Sequence, residues 1–309
     1  MTRNLYFGAD LSPLFSASAA QLGTVATAAY QQMEASAIPD RLASVAGELA
    51  SARPDIVALQ EAVVWSDTPT GQTTPVVQYD FVSILLADAA ARGVTYREVA
   101  SSNGFSGALP VPSVGLVSLQ DRDVILLRAN AAVSVTNPQT GLYQHALTVQ
   151  VAGIPITVSR GWASVQARAG GRSFRVVATH LEAYSDPTRD AQAQELLGLV
   201  RSSAEPTLVL GDVNSAAAGS GSATYTLVRH AGLGDAWATA HPGTAGYTCC
   251  RSADLRSGTL DQRIDMIFTK GAFTVSRAWI VGTTAADKTP SGQWPSDHAG
   301  VVATLSPPA

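Results

Sequence analysis

Lysine is almost missing from this chain of 309 residues: it occurs only at Lys270 and Lys288, and every other fixed cation is an arginine. No basic run exists, and the formal net charge is −4. Proteins that track a nucleic-acid backbone usually carry a basic stripe. Charge therefore does not favour long nucleic acid as a partner, although a folded surface can still gather scattered arginines. Cysteine is just as scarce: Cys249 and Cys250 are neighbours. A ring closed by adjacent cysteines is tight, and two cysteines alone do not make a zinc site. The expectation is two small side chains packed near a loop. No stretch reaches the roughly 18 apolar residues of a membrane-spanning helix. Charged residues make up only 14% of the chain, against 46% hydrophobic ones, which is enough for a sizeable core.

Short Val/Ile-rich runs bounded by turn residues predict strands near 2–7, 56–60, 96–100, 124–127, 131–135, 145–151, 162–167, 174–179, 207–210, 264–268, 278–281 and 301–305. Helical spacing predicts helices over 16–35, over 41–52 with Asp40 as cap, over 77–92 ending at Gly93, and over 187–202 with Asp186 as cap; a short one fits 223–231. Polar stretches 66–74 and 216–222 read as surface loops. Strands crowd the middle of the chain and helices flank them, which predicts two packed sheets with helices outside. There is no repeat or interdomain linker, so one domain over 1–309 is expected. The chain runs almost at once into apolar Leu5, Tyr6 and Phe7. That abrupt start suggests that upstream residues, such as a secretion signal, have been removed; otherwise a cytoplasmic protein is expected. A monomer is expected in either case.

Five segments place an ionisable or amide side chain at a strand end or inside an apolar strand. Ile56–Gln60 leads into Glu61, and the strand through Thr179 leads into His180. In Gly211-Asp212-Val213-Asn214, the acid and the amide share one side of an extended segment, and Gly211 allows a tight turn or close backbone approach. Asp265 interrupts an apolar strand, where a buried carboxylate needs a partner. Ser296-Asp297-His298 supplies an imidazole before the last strand. Each segment alone is ambiguous, since an acid at a strand end is commonly a solvated loop residue. Together they offer oxygen ligands for a hard cation such as Mg²⁺, Mn²⁺ or Ca²⁺, with imidazoles for proton transfer. That combination points to metal-assisted hydrolysis of a phosphate ester.

In this order, the motifs resemble the endonuclease/exonuclease/phosphatase superfamily, whose members include DNase I-like and sphingomyelinase-like metal-dependent phosphoesterases. The likeness runs from Asn4 to His298. It implies a four-layered α/β sandwich: two packed, mostly antiparallel sheets with helices on the outer faces. It also implies that Asn4, Glu61 and Asp297 surround a divalent cation, most readily Mg²⁺. His180, Asp212, Asn214 and His298 would act on the phosphate and the attacking water, with Asp265 paired to His298. The Thr179-His180-Leu181 form is more similar to the sphingomyelinase, inositol-phosphatase and deadenylase branches than to the abasic-site nucleases. The chain departs from many members after Asn4, where Gly8-Ala9-Asp10-Leu11 leads into the 16–35 segment. Asp10 has no counterpart and reads as a helix-entry residue. The 16–35 helix is either ordinary outer-layer packing or an overhang that narrows access to the site.

A small or lipid-linked phosphodiester suits the acidic charge, with a nuclease as the alternative reading and a non-catalytic binding module of the same fold as a third. Other polar residues read as structural or peripheral. His145, His230 and His241 lie outside the motifs, and Gln192 and Gln194 face solvent or neighbouring strands. Trp65 is either core packing or the mouth of the site. Asp123 and Arg128 flank an apolar strand, with Arg128 in an ordinary ion pair, and Asp261 is a loop residue.

Overall fold

The computed structural model describes residues 1–218 and 223–308. In chain order the elements are β1 (Thr2–Asn4), α1 (Leu22–Ala35), α2 (Ile38–Ala52), β2 (Ile56–Gln60), β3 (Val64–Pro69), β4 (Val76–Asp80), α3 (Phe81–Ala91), β5 (Tyr96–Val111), β6 (Gly115–Arg128), β7 (Val133–Leu142), β8 (Leu147–Val151) and β9 (Ile154–Val158). There follow β10 (Gly161–Ala169), β11 (Arg172–His180), α4 (Asp186–Arg201), β12 (Thr207–Asp212), α5 (Thr224–His230), β13 (Gly234–Asp235), α6 (Ala236–Ala240), β14 (Asp265–Lys270), β15 (Thr274–Val281) and β16 (Gly300–Ser306).

One sheet runs β15-β16-β1-β2-β6-β3-β4, with β5 paired to β6; the other runs β13-β14-β12-β11-β10-β7. A separate hairpin joins β8 and β9. The central strands are apolar on both faces because each face meets a different core. In β6, Ile125 points between the sheets while Val124 and Leu126 point to the helical side. In β12, Leu208 and Leu210 point between the sheets while Val209 points the other way. This period-two division produces four layers. Met33, Leu42, Leu49 and Leu85 from α1 to α3 cover the first sheet. Leu196, Leu197 and Val228 from α4 and α5 cover the second. Each fully buried leucine contributes about 1.5–3 kcal/mol by leaving water.

Several expected boundaries move. The 77–92 helix begins only at Phe81, because Val76 and Val77 pair with β3 and Asp80 caps α3, accepting from the Val82 amide at 3.1 Å. The 66–74 loop is partly strand: β3 pairs with β6, and Ser66 and Asp67 are buried. α2 starts at Ile38 with Pro39 in its first turn, where a missing N–H costs nothing, so Asp40 is a first-turn acid and not the cap. Ser185 caps α4, accepting from the Thr188 amide at 3.3 Å, and Asp186 pairs with Arg189. α1 is shorter than the 16–35 segment, and a 3-10 helix, Ser12–Ser16, precedes it. Asp10 is exposed and accepts from the Ser12 amide at that entry. Of the 216–222 loop, residues 219–222 lie outside the described residues.

Candidate active site

Register gathers the five motifs. β1 and β2 are parallel with Asn4 opposite Gln60, so Asn4 and Glu61 leave the first sheet at the same end. In the facing sheet, β11 and β12 are parallel with His180 opposite Asp212, and antiparallel β14 brings Asp265 opposite Asp212. The segment before β16 adds Asp297 and His298. Gly211 is required by a close approach: a β-carbon there would stand 1.9 Å from the Thr179 carbonyl oxygen on β11. Three non-glycine residues at this end take left-handed backbone: Tyr6 (φ 61°), Glu61 (φ 53°) and Asn214 (φ 50°). Such conformations cost roughly 1–3 kcal/mol each and collect at functional sites.

Asp212 is the hub. Its Oδ2 accepts from Asn4 Nδ2 at 3.2 Å and lies 3.6 Å from His180 Nε2 and 3.7 Å from His298 Nε2. Its Oδ1 accepts from the Asn214 amide at 2.8 Å. Asp265 Oδ2 meets His298 Nδ1 at 2.8 Å. Asn214 Nδ2 donates to the Leu181 carbonyl at 2.9 Å and lies 3.0 Å from His180 Nε2. Glu61 Oε2 accepts from the Phe7 amide at 2.7 Å.

Asn4, which the resemblance places beside the cation, lies between the two acids. Its Oδ1 accepts from the Tyr6 amide at 2.9 Å, and its Nδ2 donates to Glu61 Oε1 at 3.1 Å as well as to Asp212. Turning the amide over would set its oxygen against two carboxylates. Asn4 is therefore a donor that bridges the two acids.

The electrostatics divide the two imidazoles. Burial, then the Arg160 and His298 charges, hold His180 well below the ordinary histidine range. Arg160 Nη1 stands 3.2 Å from Nδ1 and can only donate, so Nδ1 accepts and the one ring proton sits on Nε2, which faces Asp212 Oδ2 at 3.6 Å. His180 is neutral. Burial disfavours charge on His298 too, but Asp265, Asp297 and Asp212 outweigh it and raise it well above the ordinary range. His298 is an imidazolium. Glu61 is pushed up to about 8 by burial, then by the Asp297 and Asp121 charges; His298 and the Asn4 hydrogen bond oppose the rise. Asp212 is raised to about 7 by burial, with His298 opposing and Asp265 reinforcing.

A second polar group adjoins the first and was not foreseen. Arg160, just before β10, pairs with Asp121 Oδ2 at 3.2 Å and with Glu182 Oε2 at 3.5 Å, all three buried. Asp123 shares that face of β6 and is raised well above the carboxylate range by burial and Asp121. The signal in the sequence was Asp121-x-Asp123, two acids at alternate positions just before the apolar run 124–127. Only the folded chain shows the arginine opposite them. Asp121 Oδ1, Asp123 Oδ1 and Asp265 Oδ1 are buried with no hydrogen-bond partner among the described residues.

The other residues sort themselves out. Arg128 pairs with Asp55. Gln192 is buried and links two backbones beside strands: it accepts from the Glu182 amide and donates to the His145 carbonyl, each at 2.9 Å. Gln194 and His230 are exposed, and Asp261 lies in an exposed loop. His145 pairs with Glu195 at 2.7 Å, and His241 meets the Ala278 carbonyl at 2.8 Å. Trp65 is buried and donates to the Phe7 carbonyl at 2.9 Å. The cysteines depart from their expectation, since the two are paired as a vicinal disulfide. Cys249 Sγ lies 3.5 Å from His298 Nε2. Bonded sulfurs are not thiolates, so the nearby group of Cys249, Cys250 and His298 lacks the thiolate ligands its spacing would suit. Asp212, Asp265 and His298 also have ligand spacing, with donor atoms within 4.8 Å of one another. His298 would have to lose its proton before it could ligate there.

The family model for the Endonuclease/Exonuclease/phosphatase family matches residues 20–298. Among solved structures, an endonuclease/exonuclease/phosphatase family protein from Leptotrichia buccalis C-1013-b superposes with a TM-score of 0.64 at 16% identity, covering 99% of this chain and 98% of that one. Bacteroides thetaiotaomicron VPI-5482 mannosyl-6-phosphatase gives 0.57 at 17%, covering 99% and 98%. D. rerio TDP2 complexed with single strand DNA product gives 0.55 at 18%, covering 86% and 92%. No curated protein matches the sequence significantly.

Proposed function

The chain belongs to the endonuclease/exonuclease/phosphatase family, and from that premise we propose that it hydrolyses phosphate esters with a divalent cation, acting on a small or lipid-linked phosphodiester. One observation carries the reading: the contact chain Glu61–Asn4–Asp212, with His180 neutral and His298 protonated on either side of Asp212.

The residues suit a hard cation. Glu61 and Asp297 are close enough that the second charge raises the first, and Asp121 adds to the surplus. Buried carboxylate oxygens without partners stand nearby at Asp121 and Asp123. Oxygen donors of this kind suit Mg²⁺, with Mn²⁺ and Ca²⁺ as alternatives. Glu61 and Asp297 would hold the ion, which supplies positive charge against the non-bridging phosphate oxygens. Asn4 fixes the Glu61 and Asp212 carboxylates by donating to both. Asp212, with its pKa near neutrality, accepts a proton from the attacking water, a task for which such a value is suited. The His298 imidazolium and the Asn214 amide stabilise the charge that develops on the phosphoryl group. Asp265 keeps His298 protonated and oriented. Neutral His180, held by Arg160, hydrogen-bonds the phosphate without competing for the water's proton.

The net charge of −4 favours a small substrate over a nucleic acid. The test compares turnover of a small phosphodiester with cleavage of a single-stranded DNA oligonucleotide, each with Mg²⁺ or EDTA and over a range of salt. Mg²⁺-dependent turnover of the small diester is expected, with shallow salt dependence. Preference for the oligonucleotide with a steep salt slope would instead establish a nuclease.

A further inference from the structure

A cavity of about 170 Å³ lies next to the site, walled on one side by α1 and the 3-10 turn before it and on the other by the β5–β6 hairpin and β9. Leu14, Phe15 and Ala29 form the first wall; Leu109, Val117 and Val158 form the second. Folded interiors leave few voids larger than a water molecule, and a dry apolar one lowers stability unless something fills it. This one is not sealed, because the exposed ring of Tyr184 borders it, with the Phe15 ring edge-on at 5.0 Å.

Two residues make the cavity continuous with the catalytic groups. Arg160 and Asp121 close one end, and Arg160 Nη1 stands 3.2 Å from both Asp121 Oδ2 and His180 Nδ1. Phe7 lines the cavity with its side chain while its amide holds Glu61 Oε2. An apolar group lying in the cavity would therefore end beside the phosphate position framed by His180 and Glu61. Pockets of this kind, apolar with a few convergent polar groups at one end, are the usual form of small-ligand sites.

We propose that this cavity receives the organic substituent of the phosphate ester, and that the substituent is a single aromatic ring or an alkyl chain of about six carbons. Size sets how much is enclosed: an apolar cavity of about 150 Å³ is known to hold benzene, so about six carbons lie inside and the rest of a longer chain would emerge past Tyr184 into water. The inference rests on the phosphoesterase reading and narrows its substrate class. It also gives α1 a second task. Met33 packs into the core under the first sheet while Ala29 faces the cavity.

The test is calorimetric binding of methyl-, butyl-, hexyl-, dodecyl- and phenylphosphonate to the full chain with Mg²⁺. Affinity is expected to rise about fourfold per methylene up to hexyl and then level off, with phenylphosphonate close to hexyl. Ala29→Phe, which fills the cavity, is expected to flatten the series while methylphosphonate binds as before. Leu109→Ala, which enlarges it from the opposite wall, is expected to move the plateau to longer chains. Equal affinity across the series would overturn the cavity proposal and leave the phosphoesterase reading standing. Affinity that climbs steadily to dodecyl would overturn the six-carbon limit and replace the cavity with a longer apolar surface. Failure of every phosphonate to bind, methyl included, would overturn both.

Discussion

Asp265→Asn keeps the shape of the side chain that holds His298 and removes its charge. The two side chains meet at 2.8 Å and both are buried, so little solvent screens the pair. A hydrogen bond to a charged group contributes about 1.5–3 kcal/mol and a neutral one about 0.5–1.5, a difference of about 1 kcal/mol or slightly more. Since 1.36 kcal/mol corresponds to one unit, the variant holds the His298 proton less tightly by about one pH unit. The sign follows from the active form. His298 acts as imidazolium, so activity disappears as pH rises through its pKa, and weakening the hold moves the alkaline limb to lower pH. Asp297 and Asp212 still favour the proton, so the limb shifts without vanishing. Maximal kcat falls as well, but by less than the roughly 100-fold expected on removing the His298 donor itself. A pH–rate profile on a chromogenic diester, with circular dichroism to confirm folding, reads both effects. An unmoved alkaline limb in a folded variant would refute the assignment of Asp265 as the group that keeps His298 charged.

Further consequences follow from the same geometry. Glu61, raised to about 8, holds a proton that a cation bound there must displace. Mg²⁺ affinity should therefore fall as pH drops from about 8 toward 6, and calorimetry in buffers of different ionisation enthalpy should show proton release; pH-independent binding would contradict the ligand assignment. The metal-free native state keeps protons that the unfolded chain releases, so its stability should decline as pH rises from the ordinary glutamate range to about 8, and Mg²⁺ should reverse that decline. Thermal melts at several pH values check it. Gly211→Ala forces a methyl group against the Thr179 carbonyl and should cost about 1–3 kcal/mol or more in urea unfolding.

Legibility in the sequence followed the range of the interactions involved. Strand-end acids such as Glu61 and Asp212, and the imidazole of His180, could be found because a short apolar run announces its own end. Two packed sheets with helices outside could be found because strand-like runs crowd the middle of the chain and helical spacing flanks them, while the four-layer form came with the family resemblance. What escaped was set by partners far along the chain. Arg160 and Asp121 are 39 residues apart and meet only when β6 and the start of β10 come together. The place of Asn4 between Glu61 and Asp212 likewise depends on a contact across 208 residues of chain. The 77–92 segment misled because its apolar spacing suits a helix throughout, while its first residues are claimed by pairing with β3.

The central claim is that a cation at Glu61 and Asp297 and the Asp212–His298 pair together hydrolyse a phosphate ester. The most direct measurement is hydrolysis of bis-(p-nitrophenyl) phosphate by the wild-type chain and by His298→Ala, each with Mg²⁺, Mn²⁺, Ca²⁺ or EDTA. The account predicts metal-dependent turnover that EDTA abolishes and that falls by at least about 100-fold in the folded variant. Turnover that persists in EDTA, or that His298→Ala leaves near the wild-type rate, would contradict it.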